Sequence, residues 1–170
     1  MKHLILFRHA KAERKADSGL DFDRELTRRG REDAKLMGRV LAEAGYRPQA
    51  AVVSAAKRTR ETWEHAGAAF TGVVTAYDRR LYEASPRTIM EVAETELKRA
   101  GSVIVVGHNP GLQELAAALM RQGEADPRDI SRVQRSFTTA AAAAFSVAPG
   151  GALSEARLFF PADHGGKGED

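Results

Sequence analysis

Four short aliphatic runs punctuate the chain: "LILF" near the amino terminus, "AAVVS" at residues 50–54, "GVVTAY" at 72–77 and "SVIVVGH" at 102–108. Each is too short for a helix and reads as a strand, the first and last as buried strands closed by polar residues. Between them lie stretches with apolar residues at helical spacing. Leu36, Met37, Val40 and Leu41 mark a helix from Thr27 to Ala44, with Gly45 as its stop. Trp63, Ala66 and Phe70 mark the inner side of a second, over "AAKRTRETWEHAGAAF". Ile89, Val92, Ala93 and Leu97 mark a third, from Arg87 to Ala100 and opened by Pro86. "NPGLQELAAALM" supplies a fourth directly after the last of these strands. Strand and helix in alternation predict an α/β protein, a single-domain three-layer α/β/α arrangement with a mainly parallel sheet.

The last third is less regular. "RQGEADPRDISRVQRS" reads as a polar connection. The alanine run in "FTTAAAAAFSV" favours helix by propensity. Gly150-Gly151 and "ARLFF" behind it instead suggest a closing hairpin, so a strand is expected. The final "ADHGGKGED" reads as a disordered tail, which leaves one domain over residues 1–162 and a tail over 163–170.

Composition narrows the function classes. A chain of 170 residues with 43% apolar and 29% charged residues fits one globular domain. It contains no cysteine, which removes disulfides and thiolate metal sites. The apolar stretch at the amino terminus is too short for a signal-peptide core or a membrane span, so a cytoplasmic protein with no membrane association is expected. The net charge is only +3, with acidic and basic residues interleaved in "DFDRELTRRGRED" and "KRTRETWEH". A nucleic-acid binder needs a one-signed stripe with aromatics between the charges, and aromatics are 6% here. No nucleic-acid partner is expected.

In open parallel sheets, ligands bind outside the carboxyl ends of the strands. Here the first strand ends at Arg8-His9, the second at Ser54 and the fourth at His108-Asn109. Arg58 follows Ser54 by four residues, one turn into a helix whose amino end favours anions. A buried strand end is a costly place for cationic groups unless an anion meets them there. Two arginines, two histidines and a helix amino end suit a tetrahedral dianion, because the planar arginine fork donates two parallel hydrogen bonds to phosphate oxygens. His9, His108 and Glu83 have metal-ligand chemistry, but the arginines would repel a divalent ion. Neither a metal nor another cofactor is expected.

"LFRHAKAE" resembles the RHG signature of the histidine phosphatase superfamily, with Ala10 where glycine is more usual. "SAAKRTRET" resembles its second motif, a serine followed four residues later by arginine, and "VIVVGHNPGL" its third. "GHNP", together with "FDRELTRRGREDA", is similar to the SixA-type phosphohistidine phosphatase branch. The motifs run in the family's order from residue 4 to about 115. The resemblance implies a phosphoglycerate mutase-like fold, with His9 as a nucleophile phosphorylated on its imidazole. Arg8, Arg58 and His108 would surround the phosphoryl oxygens. Glu83, in "LYEASP", falls where many members keep an acidic proton donor. Arg24 matches an arginine of the SixA-type stretch and would line the pocket rim, with Ser54 and Asn109 as further substrate contacts.

The expected activity is therefore phosphohistidine hydrolysis on a phosphotransfer protein, through a covalent enzyme intermediate. Two alternatives stay open: a phosphatase of a small phosphate ester, and a non-catalytic phosphoprotein-binding module. His9 speaks against the second, since binding alone requires no nucleophile. A mutase fits less well, because transfer to a second hydroxyl needs the intermediate shielded from water.

Overall fold

The computed structural model describes all 170 residues. Six strands, β1 (Lys2–Arg8), β2 (Ala50–Ser54), β3 (Val74–Asp78), β4 (Val103–Gly107), β5 (Ala142–Val147) and β6 (Leu153–Phe159), form one sheet in the order β3-β2-β4-β1-β5-β6. The first four run parallel, whereas β5 and β6 add an antiparallel edge. Five helices flank the sheet: α1 (Arg28–Glu43), α2 (Lys57–Ala66), α3 (Pro86–Leu97), α4 (Gly111–Gln122) and α5 (Pro127–Arg135). This is the expected single-domain α/β architecture. No helix is long and apolar enough to cross a membrane.

The aliphatic runs are continuous because both faces of the central strands are covered. Leu4 and Leu6 of β1 join Val103 and Val105 of β4 in a core closed by α3, α4 and α5. Ile5 and Phe7 join Ile104 and Val106 in a second core on the opposite face, closed by α1 and α2. Each fully buried aliphatic side chain contributes about 1.5–3 kcal/mol. That packing fixes the strand ends from which the polar site is built.

The alanine run forms β5 against its helical propensity. Ala142, Ala143 and Ala144 pair with β1 on one side and β6 on the other, so the ladder outweighs a preference of a few tenths of a kcal/mol per residue. Two expectations need correction. The polar connection contains α5, capped by Asp126, whose side chain accepts from the Arg128 amide, and Pro127 takes its first turn. Only Val133 of this helix is fully buried, so its apolar period is too thin to stand out.

The tail over 163–170 is the second correction. It is tied down, because a turn at Pro161–His164 and a left-handed Gly165 (φ 90°) send the chain back over α1. There the buried Asp33 carboxylate accepts from the amides of Lys167 and Gly168 at 3.1 and 3.0 Å. Glu169 then pairs with Thr139, its carbonyl accepting the Thr139 amide at 2.7 Å and its own amide donating to the threonine hydroxyl at 3.0 Å.

Candidate active site

The β1–β4 ladder runs one step past its last residues, with the His9 amide donating to the Gly107 carbonyl at 3.0 Å. That register sets His9 beside His108, their ring centroids 5.3 Å apart. Ser54, at the neighbouring end of β2, is fully buried with its hydroxyl 2.7 Å from His108 Nε2. Arg58, in the first turn of α2, folds back to the same mouth and is buried. Burial first, and then the cost of a second positive charge beside His108, Arg8 and Arg58, push the His9 pKa well below its usual 6.5. Burial and the two guanidinium groups bring His108 down to about 3. Both imidazoles are therefore neutral at neutral pH.

The tautomer of His9 follows from its partner. Its Nδ1 lies 2.7 Å from the Ala10 carbonyl oxygen, which can only accept, so the proton is on Nδ1. Nε2 keeps its lone pair free. Ala10, in the place of the more usual glycine, has its methyl buried in the core beneath α1 and α2. The Ala10 amide donates to Thr62 Oγ1 at 3.0 Å, and that hydroxyl donates to the Arg58 carbonyl at 2.7 Å. One side chain thus links the turn after β1 to the helix bearing Arg58. The "LTRRG" stretch braces the same turn from outside. Thr27 caps α1 and donates its amide to the Lys11 carbonyl at 2.9 Å. Gly30 lies so close that a Cβ would stand 2.1 Å from that carbonyl oxygen, which excludes every other residue.

The two arginines are held in the same way. Arg8 donates through Nη1 to the carbonyls of Phe137 (2.9 Å) and Glu169 (3.3 Å). Arg58 donates through Nη1 to the Asp21 carbonyl (2.9 Å) and through Nη2 to the Asp21 carboxylate (3.1 Å). In both, Nε is buried and has no partner. Burial, offset in part by Asp170, lowers the Arg8 pKa to about 10, so Arg8 stays charged at neutral pH.

Four buried side-chain polar atoms have no hydrogen-bond partner: Arg8 Nε, Arg58 Nε, His108 Nδ1 and Asn109 Oδ1. All four belong to this one strand-end site. An unsatisfied buried group costs about 1–3 kcal/mol, and folded proteins leave few of them. Two of the four are guanidinium donors, and a third donates when Ser54 turns its proton to His108 Nε2. Three donors of this kind suit an anion with several oxygens, beside an imidazole nitrogen with a free lone pair.

The other expected contacts fall into separate positions. Ser54 serves His108. Asn109 precedes a cis peptide to Pro110 and donates through Nδ2 to the Phe137 carbonyl at 2.8 Å, the oxygen that also anchors Arg8. Arg24 has Nε on the Glu13 carbonyl (2.7 Å) and Nη1 on the Asp21 carboxylate (2.9 Å), so it braces the loop before α1. Glu83 is exposed and shares a cleft of about 530 Å³ with Arg58, His108 and Asn109.

Sequence reasoning missed Asp21 and Tyr82. The Tyr82 hydroxyl donates to the Asp21 carboxylate at 2.6 Å, which raises the phenol to about 12, and its ring stands edge-on to His108 at 5.6 Å. Spacing alone does not separate Asp21 from Asp17 and Asp23 in the same loop. The adjacency of Tyr82 to Glu83 was the one available signal for the tyrosine.

Residues 4–98 match the histidine phosphatase superfamily (branch 1). An uncharacterized protein of Mycobacterium tuberculosis is 34% identical over 145 residues, covering 83% of this chain and 87% of that one. Among solved structures, the candidate phosphohistidine phosphatase SixA of Nakamurella multipartitia superposes with a TM-score of 0.81 at 27% identity, covering 94% of this chain and 96% of the other. Its counterpart from Agrobacterium tumefaciens gives 0.76 at 26% identity, with the same coverage of 94% and 96%.

Proposed function

The chain belongs to the histidine phosphatase superfamily, and on that premise we propose that it is a phosphohistidine phosphatase acting on a cytoplasmic phosphotransfer protein. The observation that carries this reading is the neutral His9, with Nδ1 tied to the Ala10 carbonyl and Nε2 free beside the unpartnered donors. In this reaction Nε2 attacks the phosphorus in line. The substrate imidazole carries a solvent-derived proton on its other nitrogen, so its bond to phosphorus breaks as the bond to His9 forms and it departs neutral. Water then attacks the phosphorus, the bond to His9 breaks, and orthophosphate leaves with His9 neutral again.

Arg8 and Arg58 meet the equatorial oxygens through the edges that carry Nε, and His108 does so through Nδ1–H. Charge spreads over those oxygens in the transition state, where each preorganised donor is worth about 10²–10³-fold. A nucleophile kept neutral by burial needs no deprotonation before it attacks. The substrate class is supported by the likeness to the two SixA structures and by the low basicity of imidazole as a leaving group, which makes a strong general acid dispensable.

A second reading, hydrolysis of a small phosphate ester, is favoured by Glu83 in the cleft beside Arg58 and His108. A panel of phosphohistidine proteins and phosphorylated metabolites, assayed in excess chelator, separates the two. The proposal expects kcat/KM on a phosphohistidine protein to exceed that on every alkyl phosphate. A metabolite that is turned over faster supports the second reading instead.

A further inference from the structure

Four side-chain hydrogen bonds converge on Asp21. Its carboxylate accepts from Arg58 Nη2 at 3.1 Å, from the Tyr82 hydroxyl at 2.6 Å and from Arg24 Nη1 at 2.9 Å. Its main-chain carbonyl accepts from Arg58 Nη1 at 2.9 Å. The residue thereby ties its own loop to the first turn of α2 and to the segment after Leu81. Tyr82 and Arg24 supply enough donors to keep this carboxylate ionised: the phenol first, then Arg24 and Arg58, hold it well below the ordinary aspartate range.

A guanidinium has two edges able to grip a pair of oxygens. One carries Nη1 and Nη2, the other Nε and the second hydrogen of Nη2. Asp21 occupies the first edge of Arg58 with one main-chain and one side-chain oxygen. The second edge, with its buried and unpartnered Nε, is left for another acceptor. Arg8 shows the same division, with Nη1 spent on two carbonyls and Nε free, although no carboxylate hydrogen-bonds to it. A carboxylate beside an anion site is therefore a specific choice, and by charge alone it is an unfavourable one.

We infer that Asp21 is a positioning residue, which turns the Nε edge of Arg58 toward the phosphoryl group while Tyr82 and Arg24 fix Asp21 in place. The inference rests on the proposed role of Arg58 as a phosphoryl contact. It predicts a sign opposite to simple electrostatics. Removing a negative charge from beside an anion pocket should tighten anion binding, whereas removing the group that orients Arg58 should weaken it.

The test measures orthovanadate affinity and phosphohistidine turnover for the wild type, Asp21→Asn, Asp21→Ala, Tyr82→Phe and Arg58→Ala, and for Asp21→Asn combined with Arg58→Ala. The Asp21 side chain is about half exposed, 48%, so its replacement leaves the core intact. Asp21→Asn and Asp21→Ala should weaken vanadate about tenfold or more and lower kcat by more than they raise KM. Tyr82→Phe should act in the same direction and less strongly. In the Arg58→Ala background, Asp21→Asn should cause no further loss, because no guanidinium remains to be oriented.

Unchanged or tighter vanadate binding by Asp21→Asn overturns the inference, as does an equal loss with and without Arg58. A wild type that binds vanadate but leaves phosphohistidine intact removes the substrate assignment, and the vanadate series then decides the role of Asp21 on its own.

Discussion

His108 Nε2 lies 2.7 Å from the hydroxyl oxygen of Ser54, a contact from which solvent is excluded. When the hydroxyl donates to Nε2, the imidazole proton resides on Nδ1, the atom that has no protein partner. In that arrangement Ser54 fixes both the orientation and the tautomer of His108, the side chain proposed to meet the phosphoryl group. Ser54→Ala should lower kcat on phosphohistidine by about tenfold or more with little change in KM. It should also destabilise the fold by about 1–3 kcal/mol in urea unfolding, since it strands Nε2. Unchanged kcat would remove Ser54 from the positioning role.

The neutral histidines make stability depend on pH in a defined window. In the unfolded chain each titrates near 6.5, while in the folded chain His108 titrates near 3 and His9 well below 6.5. Above pH 6.5 both states carry neutral imidazole, and the contribution is complete. Below it the unfolded chain binds protons that the folded chain refuses, so stability falls as pH falls. At pH 5 the loss from His108 alone should be about 2 kcal/mol, and His9 adds to it in the same direction. Urea unfolding at pH 7.5 and 5.0 should show this drop, and a smaller one in His108→Asn. Asp21, whose carboxyl is lowered, acts in a separate and more acidic window. Stability that is flat or rises between pH 7.5 and 5.0 would contradict the neutral pair.

Much of the site is legible in sequence because its residues end strands. Arg8-His9, Ser54 and His108 follow aliphatic runs whose direction and burial are dictated locally, and the parallel topology brings such ends together. What stays hidden depends on distant partners. Asp21 acquires its role from Arg58, 37 residues away, and from Tyr82, 61 residues away. The glycine-rich tail reads as unstructured until Asp33, more than 130 residues earlier, captures its amides. In α5 the start signal of Asp126 and Pro127 is present, but Ile130 and Val133 alone are too few to mark a helical face.

Glu83 offers a test of the two substrate classes. It adopts a left-handed backbone (φ 55°) that non-glycine residues rarely take, next to an Ala84 carbonyl that would stand 2.2 Å from a Cβ at Gly111. That close approach fixes the loop at the cleft. The alkoxide that leaves an alkyl phosphate is a strong base and needs a proton from the enzyme, a contribution worth about 10²–10⁴-fold. Glu83→Gln should barely slow phosphohistidine hydrolysis and should depress any side activity on alkyl phosphates far more. An equal, large loss on both substrates would assign Glu83 to a step they share, such as activation of the hydrolytic water.

The most direct test of the central claim is capture of the intermediate on His9. Wild-type protein, mixed briefly with radiolabelled phosphohistidine substrate and quenched, should carry label on His9 that survives base and is lost in acid. His9→Ala should carry none. Base-labile label, or equal labelling of His9→Ala, would contradict attack by the free Nε2 of His9.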